Sequence, residues 1–195
     1  MLIASGIALV LITWLALVLL LVLTGLVPSL LVQRGPVDTG TLRRSLWWGV
    51  LIITLAVLAG SLVTPIRSAG FAVYLAVVIV VAGGTGLALA RPRGWTSPRQ
   101  PARTLWWIAI PSLLAVLALA AAALGPVTNY DTGLYHLGAI SYAFDYSAIP
   151  GLANLYQPLG YATAQFPLAA AMGVGPWGEE GFRLLNGLII AMVIV

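Results

Sequence analysis

An all-α fold, specifically a polytopic transmembrane helix bundle with an external loop carrying membrane-surface helices, is what this 195-residue sequence predicts, on three observations. Hydrophobic residues make up 61% of it and charged residues 7%, whereas about a quarter of the residues in a soluble domain are charged. Four apolar stretches approach or exceed the roughly 20 residues that a helix needs to cross a bilayer. The basic residues, all Arg, gather in alternate connections between those stretches. The absence of cysteine excludes disulfides, thiolate metal sites and cysteine nucleophiles.

The first stretch, Leu2–Val32, is broken near its end by Gly25 and Pro28. It is too long for a signal-peptide core and has no basic residue before it, so it is expected to be a retained span. Leu46–Val63, Ala69–Ala90 and Leu105–Leu124 supply the second, third and fourth. Phe182–Val195 opens a fifth that stops after fourteen residues. The sequence is therefore expected to be the N-terminal piece of a longer protein, inactive by itself.

Orientation follows from the arginines, because loops rich in Lys and Arg stay cytoplasmic. Arg34, Arg43 and Arg44 lie between the first two spans, and Arg91, Arg93, Arg99 and Arg103 between the third and fourth. The other connections hold only Arg67 and Arg183. This places the N-terminus and the Gly125–Gly181 loop outside. The pairs Trp47-Trp48 and Trp106-Trp107 each follow a basic loop, where interfacial aromatics belong; a duplicated hairpin would explain the echo too. The Arg91–Arg103 loop could bind anionic lipid headgroups, with the setting of topology as the plainer role. Positive charge confined to membrane loops gives no reason to expect a nucleic-acid partner. Gly83, Gly84 and Gly86 lack the Lys and the strand-to-helix setting of a phosphate loop and are expected to allow close helix packing.

Gly125–Tyr161 is the long polar interval, with six of the seven tyrosines, the single histidine, Asp131 and Asp145. Asn129, Asp131 and Thr132 offer N-cap chemistry for a surface helix over Thr132–Tyr146. At helical spacing Leu134, Leu137, Ile140 and Phe144 form one stripe, and Tyr135, Ala139, Tyr142 and Tyr146 a second. Ile149-Pro150-Gly151 has the order of a type II turn. Asn154, Tyr156, Gln157 and Tyr161 follow, uncharged groups suited to a polar, ring-shaped ligand. Thr163–Gly175 is expected to form a second surface or re-entrant helix.

Asp131 is either the cap of the surface helix or a general base that takes a proton from an attacking hydroxyl. His136 is a candidate for phosphate, acid or metal contact, or a satisfied interface residue. Asp145 is expected to be a solvated helix-end acid. Glu179 and Glu180 either flank an interface or complete a metal or acid site with Asp131, so a divalent metal is an open possibility; no other cofactor is expected. Arg183 either holds an anionic group such as a lipid phosphate or pairs with Glu179 or Glu180.

Asn129-Tyr130-Asp131-Thr132-Gly133-Leu134-Tyr135-His136 just after a spanning stretch, followed by Ile149-Pro150-Gly151-Leu152-Ala153-Asn154-Leu155 and Leu159-Gly160, resembles the first external loop of GT-C type glycosyltransferases. It is similar, more narrowly, to poorly characterised bacterial polytopic proteins related to them. The resemblance covers roughly residues 129–186. It implies a polyprenyl-phosphate-linked sugar as donor, a glycan, lipid or protein acceptor, and the bacterial inner (cytoplasmic) membrane as location. It gives Asp131 the role of catalytic base or metal-proximal acid, with Tyr135 and His136 beside it. The expected substrate-binding set is Asn129, Tyr130, Tyr135, His136, Tyr142, Asn154, Gln157 and Arg183. The rival expectations are a transporter or flippase and a non-catalytic scaffold.

Overall fold

The computed structural model describes residues 2–33, 35–96, 102–155, 157 and 163–194. Arg34, Arg99, Tyr156, Leu159, Gly160 and Tyr161 lie outside the described residues. The fold is all-α, with seven α-helices among the described residues: α1 Leu2–Val32, α2 Thr39–Ser61, α3 Ala69–Ala90, α4 Ala102–Ala123, α5 Leu137–Asp145, α6 Gln165–Ala171 and α7 Arg183–Ile194. The first four are long and apolar enough to cross a membrane. Of the apolar window in α4 only 6% is buried, and in α3 only 11%. Side chains such as Val80, Leu113 and Leu114 point outward, an apolar exterior of the kind that lipid covers. Gln165–Val174 and Arg183–Ile194 are shorter apolar helices; ten residues of helix rise only about 15 Å, half a hydrocarbon core.

Two compact units make up the chain. The first comprises Met1–Ile53, Val77–Leu124 and Gly187–Val195. Here α1 and α2 meet backbone to backbone: a Cβ on Gly25 would overlap the Ser45 carbonyl, and one on Gly49 the Leu21 carbonyl. Small residues permit this approach, which association in lipid depends on. Gly86 takes the Leu26 side chain in the same way, between α3 and α1. Buried hydroxyls tie the helices together further. Ser29 Oγ donates to the Thr41 carbonyl at 3.1 Å, and Ser45 Oγ donates to the same oxygen at 2.8 Å.

The second helix starts at Thr39, seven residues before the apolar run that marks it in the sequence. A capping box explains the extension. Thr41 N–H donates to Asp38 Oδ1 at 2.6 Å, and Asp38 N–H donates to Thr41 Oγ1 at 3.3 Å. The Thr41 hydroxyl lies 2.7 Å from both Asp38 Oδ1 and Gln33 Oε1, either of which takes its proton. The Thr41 hydroxyl and amide, with Arg44 adding to them, hold the Asp38 carboxyl below the usual carboxylate range. Arg43 and Arg44 thus belong to the helix, whose apolar portion begins after them.

The second unit comprises Thr54–Ala76 and Gly125–Asn186. Its hairpin turn between α2 and α3 is fixed by Ser68, whose Oγ accepts from Phe71 N–H at 3.0 Å and lies 2.8 Å from Thr64 Oγ1. Ile66 and Phe71 are fully buried. The turn is joined to the end of α5: Arg67 N–H donates to the Phe144 carbonyl at 3.0 Å, and Ala148 N–H donates to the Ser61 carbonyl at 2.8 Å. Asp145, expected to be a solvated helix-end acid, is the last residue of α5 and pairs at 3.0 Å with the exposed Arg67. Gly151 adopts φ 84° and ψ 0° after Pro150, the conformation that a type II turn requires at its third residue and that glycine adopts without strain.

Candidate functional site

The chain leaves α4 at Ala123 and turns into helix again at Tyr130. Asn129 is the residue that caps this helix. Its Oδ1 accepts from Asp131 N–H at 2.9 Å, and its carbonyl accepts from Thr132 N–H at 3.2 Å. The cap role that spacing allowed to Asp131 therefore falls to Asn129, two residues earlier. The Asp131 carboxylate is exposed, and among the described residues nothing donates a hydrogen bond to it. It sits in the first turn, where the exposed N–H groups of a helix favour negative charge.

Thr132–His136 forms a π-turn, with Leu137 N–H donating to the Thr132 carbonyl five residues back. Such a turn adds one residue to the helix and is often found at functional sites. It also breaks the uniform 3.6-residue phase from which the two stripes are drawn. Leu134 falls out of line with Leu137 and Ile140 and is 58% exposed, while Ala139 on the tyrosine stripe is buried.

The π-turn presents Tyr135 and His136 together, edge to face with ring centroids 4.4 Å apart. His136 also stacks obliquely on Phe166 at 5.2 Å, which brings the start of α6 alongside. On α6, Gln165 Nε2 donates to Asn186 Oδ1 of α7 at 3.0 Å, and both amides are exposed. The result is a shelf of half-buried rings next to a pair of accessible amides. Polar hydroxyls of a ring-shaped ligand match the amides, and its apolar C–H faces match the rings.

The remaining expected residues are spread more widely. Tyr130 is 79% exposed in the first turn. Tyr142 stacks on Tyr146 at 5.2 Å, and its hydroxyl is buried without a partner among the described residues. Asn154 and Gln157 are exposed beyond the Pro150-Gly151 turn, with no described contact to the Tyr135–His136 group. Arg183 forms an ion pair within its own turn: its Nε donates to Glu180, and its Nη1 donates to the Gly125 carbonyl at 2.5 Å. That bond ties the start of α7 to the segment leading into Asp131. Asp131, Glu179 and Glu180 do not assemble into a metal centre, since no group of three or more His, Asp or Glu occurs among the described residues.

Gln165, Phe166 and Asn186 are the site residues that sequence reasoning passed over. Their signal was two amides inside otherwise apolar helical runs, which only the fold brings within hydrogen-bonding distance.

No curated protein and no solved structure matches this chain. Residues 7–195 match the model of a family described as a domain of unknown function, DUF8201, and the chain belongs to that family.

Proposed function

We propose that this DUF8201 protein is a membrane glycosyltransferase of the GT-C kind, moving a sugar from a polyprenyl phosphate to an acceptor hydroxyl on the external, periplasmic face. The observation that carries the proposal is the Asp131 carboxylate. It is exposed at a helix start, just after a candidate span, and Asn129 relieves it of capping. Asp131 accepts the proton of the acceptor hydroxyl as that oxygen bonds to the anomeric carbon. The bond from that carbon to the phosphate oxygen breaks in the same step, and the lipid phosphate leaves with the electron pair. Arg183, with Nη2 still available beside its bonds to Glu180 and Gly125, offers charge to the leaving phosphate. Tyr135, His136 and Phe166 stack on the sugar, and Gln165 and Asn186 read its hydroxyls.

The external orientation is supported by the distribution of arginine: seven of nine lie in the connections between α1 and α2 and between α3 and α4, or just inside the helices that follow them. Asp131→Asn tests the assignment in membranes containing the full-length protein, supplied with a radiolabelled polyprenyl-phosphate sugar. Loss of a general base costs about 10²- to 10⁴-fold in rate, so transfer should fall by that factor while the thermal unfolding profile stays unchanged. Transfer that persists at the wild-type rate rules the base assignment out.

A further inference from the structure

The connections α1–α2 and α3–α4 are joined into one platform in the first unit. Val37 N–H donates to the Gly94 carbonyl at 3.0 Å, and Thr96 N–H donates to the Val37 carbonyl at 2.9 Å. Val37 is fully buried beneath them against Leu26, Leu30 and Ala90. The platform's described arginines do two different jobs. Arg93 Nη1 donates to the Leu30 carbonyl at 2.6 Å and to the Gln33 carbonyl at 2.9 Å, closing the C-terminus of α1, where a cation is favoured. Arg44 donates to Gln33 Oε1. Two guanidinium groups thus converge on one residue, and both are spent on holding the loops.

Arg43 and Arg91 are different. Both are exposed, and neither has a hydrogen bond or ion pair to another described residue. The sole acid of this unit, Asp38, forms no salt bridge to either among the described residues, and one carboxylate cannot balance the seven arginines of the unit. Trp47 and Trp48, one turn on from Arg43, Trp95, four residues after Arg91, and Trp106 and Trp107, in the first turns of α4, are 38–84% exposed, a set of indoles at helix ends of the kind that marks headgroup depth in a bilayer. From this we infer that the platform binds anionic phospholipid headgroups, with Arg43 and Arg91 holding the phosphodiester and Arg44 and Arg93 fixing the loops that present them. A guanidinium suits this ligand through paired N–H donors. The indoles and the adjoining apolar helices select a lipid over a free anion, because they provide the acyl-chain boundary that a soluble phosphate lacks. This inference does not depend on transferase activity.

The experiment is thermal unfolding of the full-length protein in neutral detergent, titrated with phosphatidylglycerol, with phosphatidylcholine or with inorganic phosphate. Phosphatidylglycerol should raise the melting temperature, and the other two should not. Each basic side chain at an anionic surface is worth about fivefold in affinity, so the double variant R43Q/R91Q should need roughly 25-fold more phosphatidylglycerol. Its starting melting temperature should be unchanged, whereas R93Q should lower it. R43K/R91K, which keeps both charges, should recover most of the preference. Equal stabilisation by the two lipids, an undiminished response in R43Q/R91Q or an equal response to inorganic phosphate would each overturn the inference. Should the glutamine variant fail to fold, a wild-type response that survives 1 M salt overturns it, because exposed charge pairing is screened there.

Discussion

Met1–Ile53, Val77–Leu124 and Gly187–Val195 carry seven arginines against one acid, net +6, whereas Thr54–Ala76 and Gly125–Asn186 carry two arginines against four acids, net −2. The two units also differ in how they are held together. In the first, helices touch through glycine and buried hydroxyls, and arginine closes a helix end. In the second, short helices and loops are joined by backbone bonds across the chain, ring contacts and the ion pairs Arg67–Asp145 and Arg183–Glu180. The contrast teaches that one unit is built to sit stably in lipid, with its charge kept to the platform. The other leaves polar and aromatic groups such as Tyr130, Gln165 and Asn186 exposed. Close packing tolerates little change, while an open shelf tolerates a good deal.

That contrast can be broken most severely at Gly49. Its replacement by Leu forces a side chain into the Leu21 carbonyl, at a cost of about 3 kcal/mol or more, the upper end for overpacking. The variant should lose its cooperative melt in detergent. Gly84, with nothing within 4 Å of a built Cβ, is the control, and Gly84→Ala should gain up to about 1 kcal/mol from helix propensity. A similar loss at both positions would show that the backbone contact does not govern the unit.

A smaller effect should follow acidification. The folded Asp38 carboxyl is held below its usual value by Thr41. Its contribution is therefore complete above the unfolded carboxylate pKa of about 3.9 and disappears as pH falls through the depressed folded value. Melting curves between pH 6 and pH 2.5 should show a loss that Asp38→Asn reduces. At neutral pH that variant should melt close to wild type, since Asn caps about as well as Asp. The smallest change should come from Asp145→Asn, which removes the exposed pair with Arg67. Such pairs contribute about 0.2–1 kcal/mol, visible as faster hydrogen exchange near Phe144–Ala148 and hidden by high salt.

Legibility in the sequence followed the physics of each feature. Helices α1 and α3 have the bounds that hydropathy alone marks, because their apolar runs end where the helices end. The start of α2 was missed, since a capping box and two arginines extend the helix past its apolar portion. Asp131 and Asn129 were both marked as N-cap candidates, but spacing could not say which one is turned toward the amides; the choice depends on where the turn out of α4 sets the first helical residue. The π-turn left no periodic trace, as a single extra residue looks like any other in a sequence. The Gln165–Asn186 pair and the Arg67–Asp145 bridge join residues 21 and 78 positions apart, and nothing local encodes either.

By itself, then, the sequence determined that this is an all-α chain with four membrane-length apolar helices, a polar aromatic interval after the fourth and arginine confined mainly to alternate connections. Those properties depend on composition and period, which act residue by residue. Tertiary structure alone decided which arginines are spent and which remain available, which residue caps the helix at Asp131, and which amides meet beside His136. Each of these depends on hydrogen bonds between groups distant in the chain, and such bonds exist only once the helices have packed.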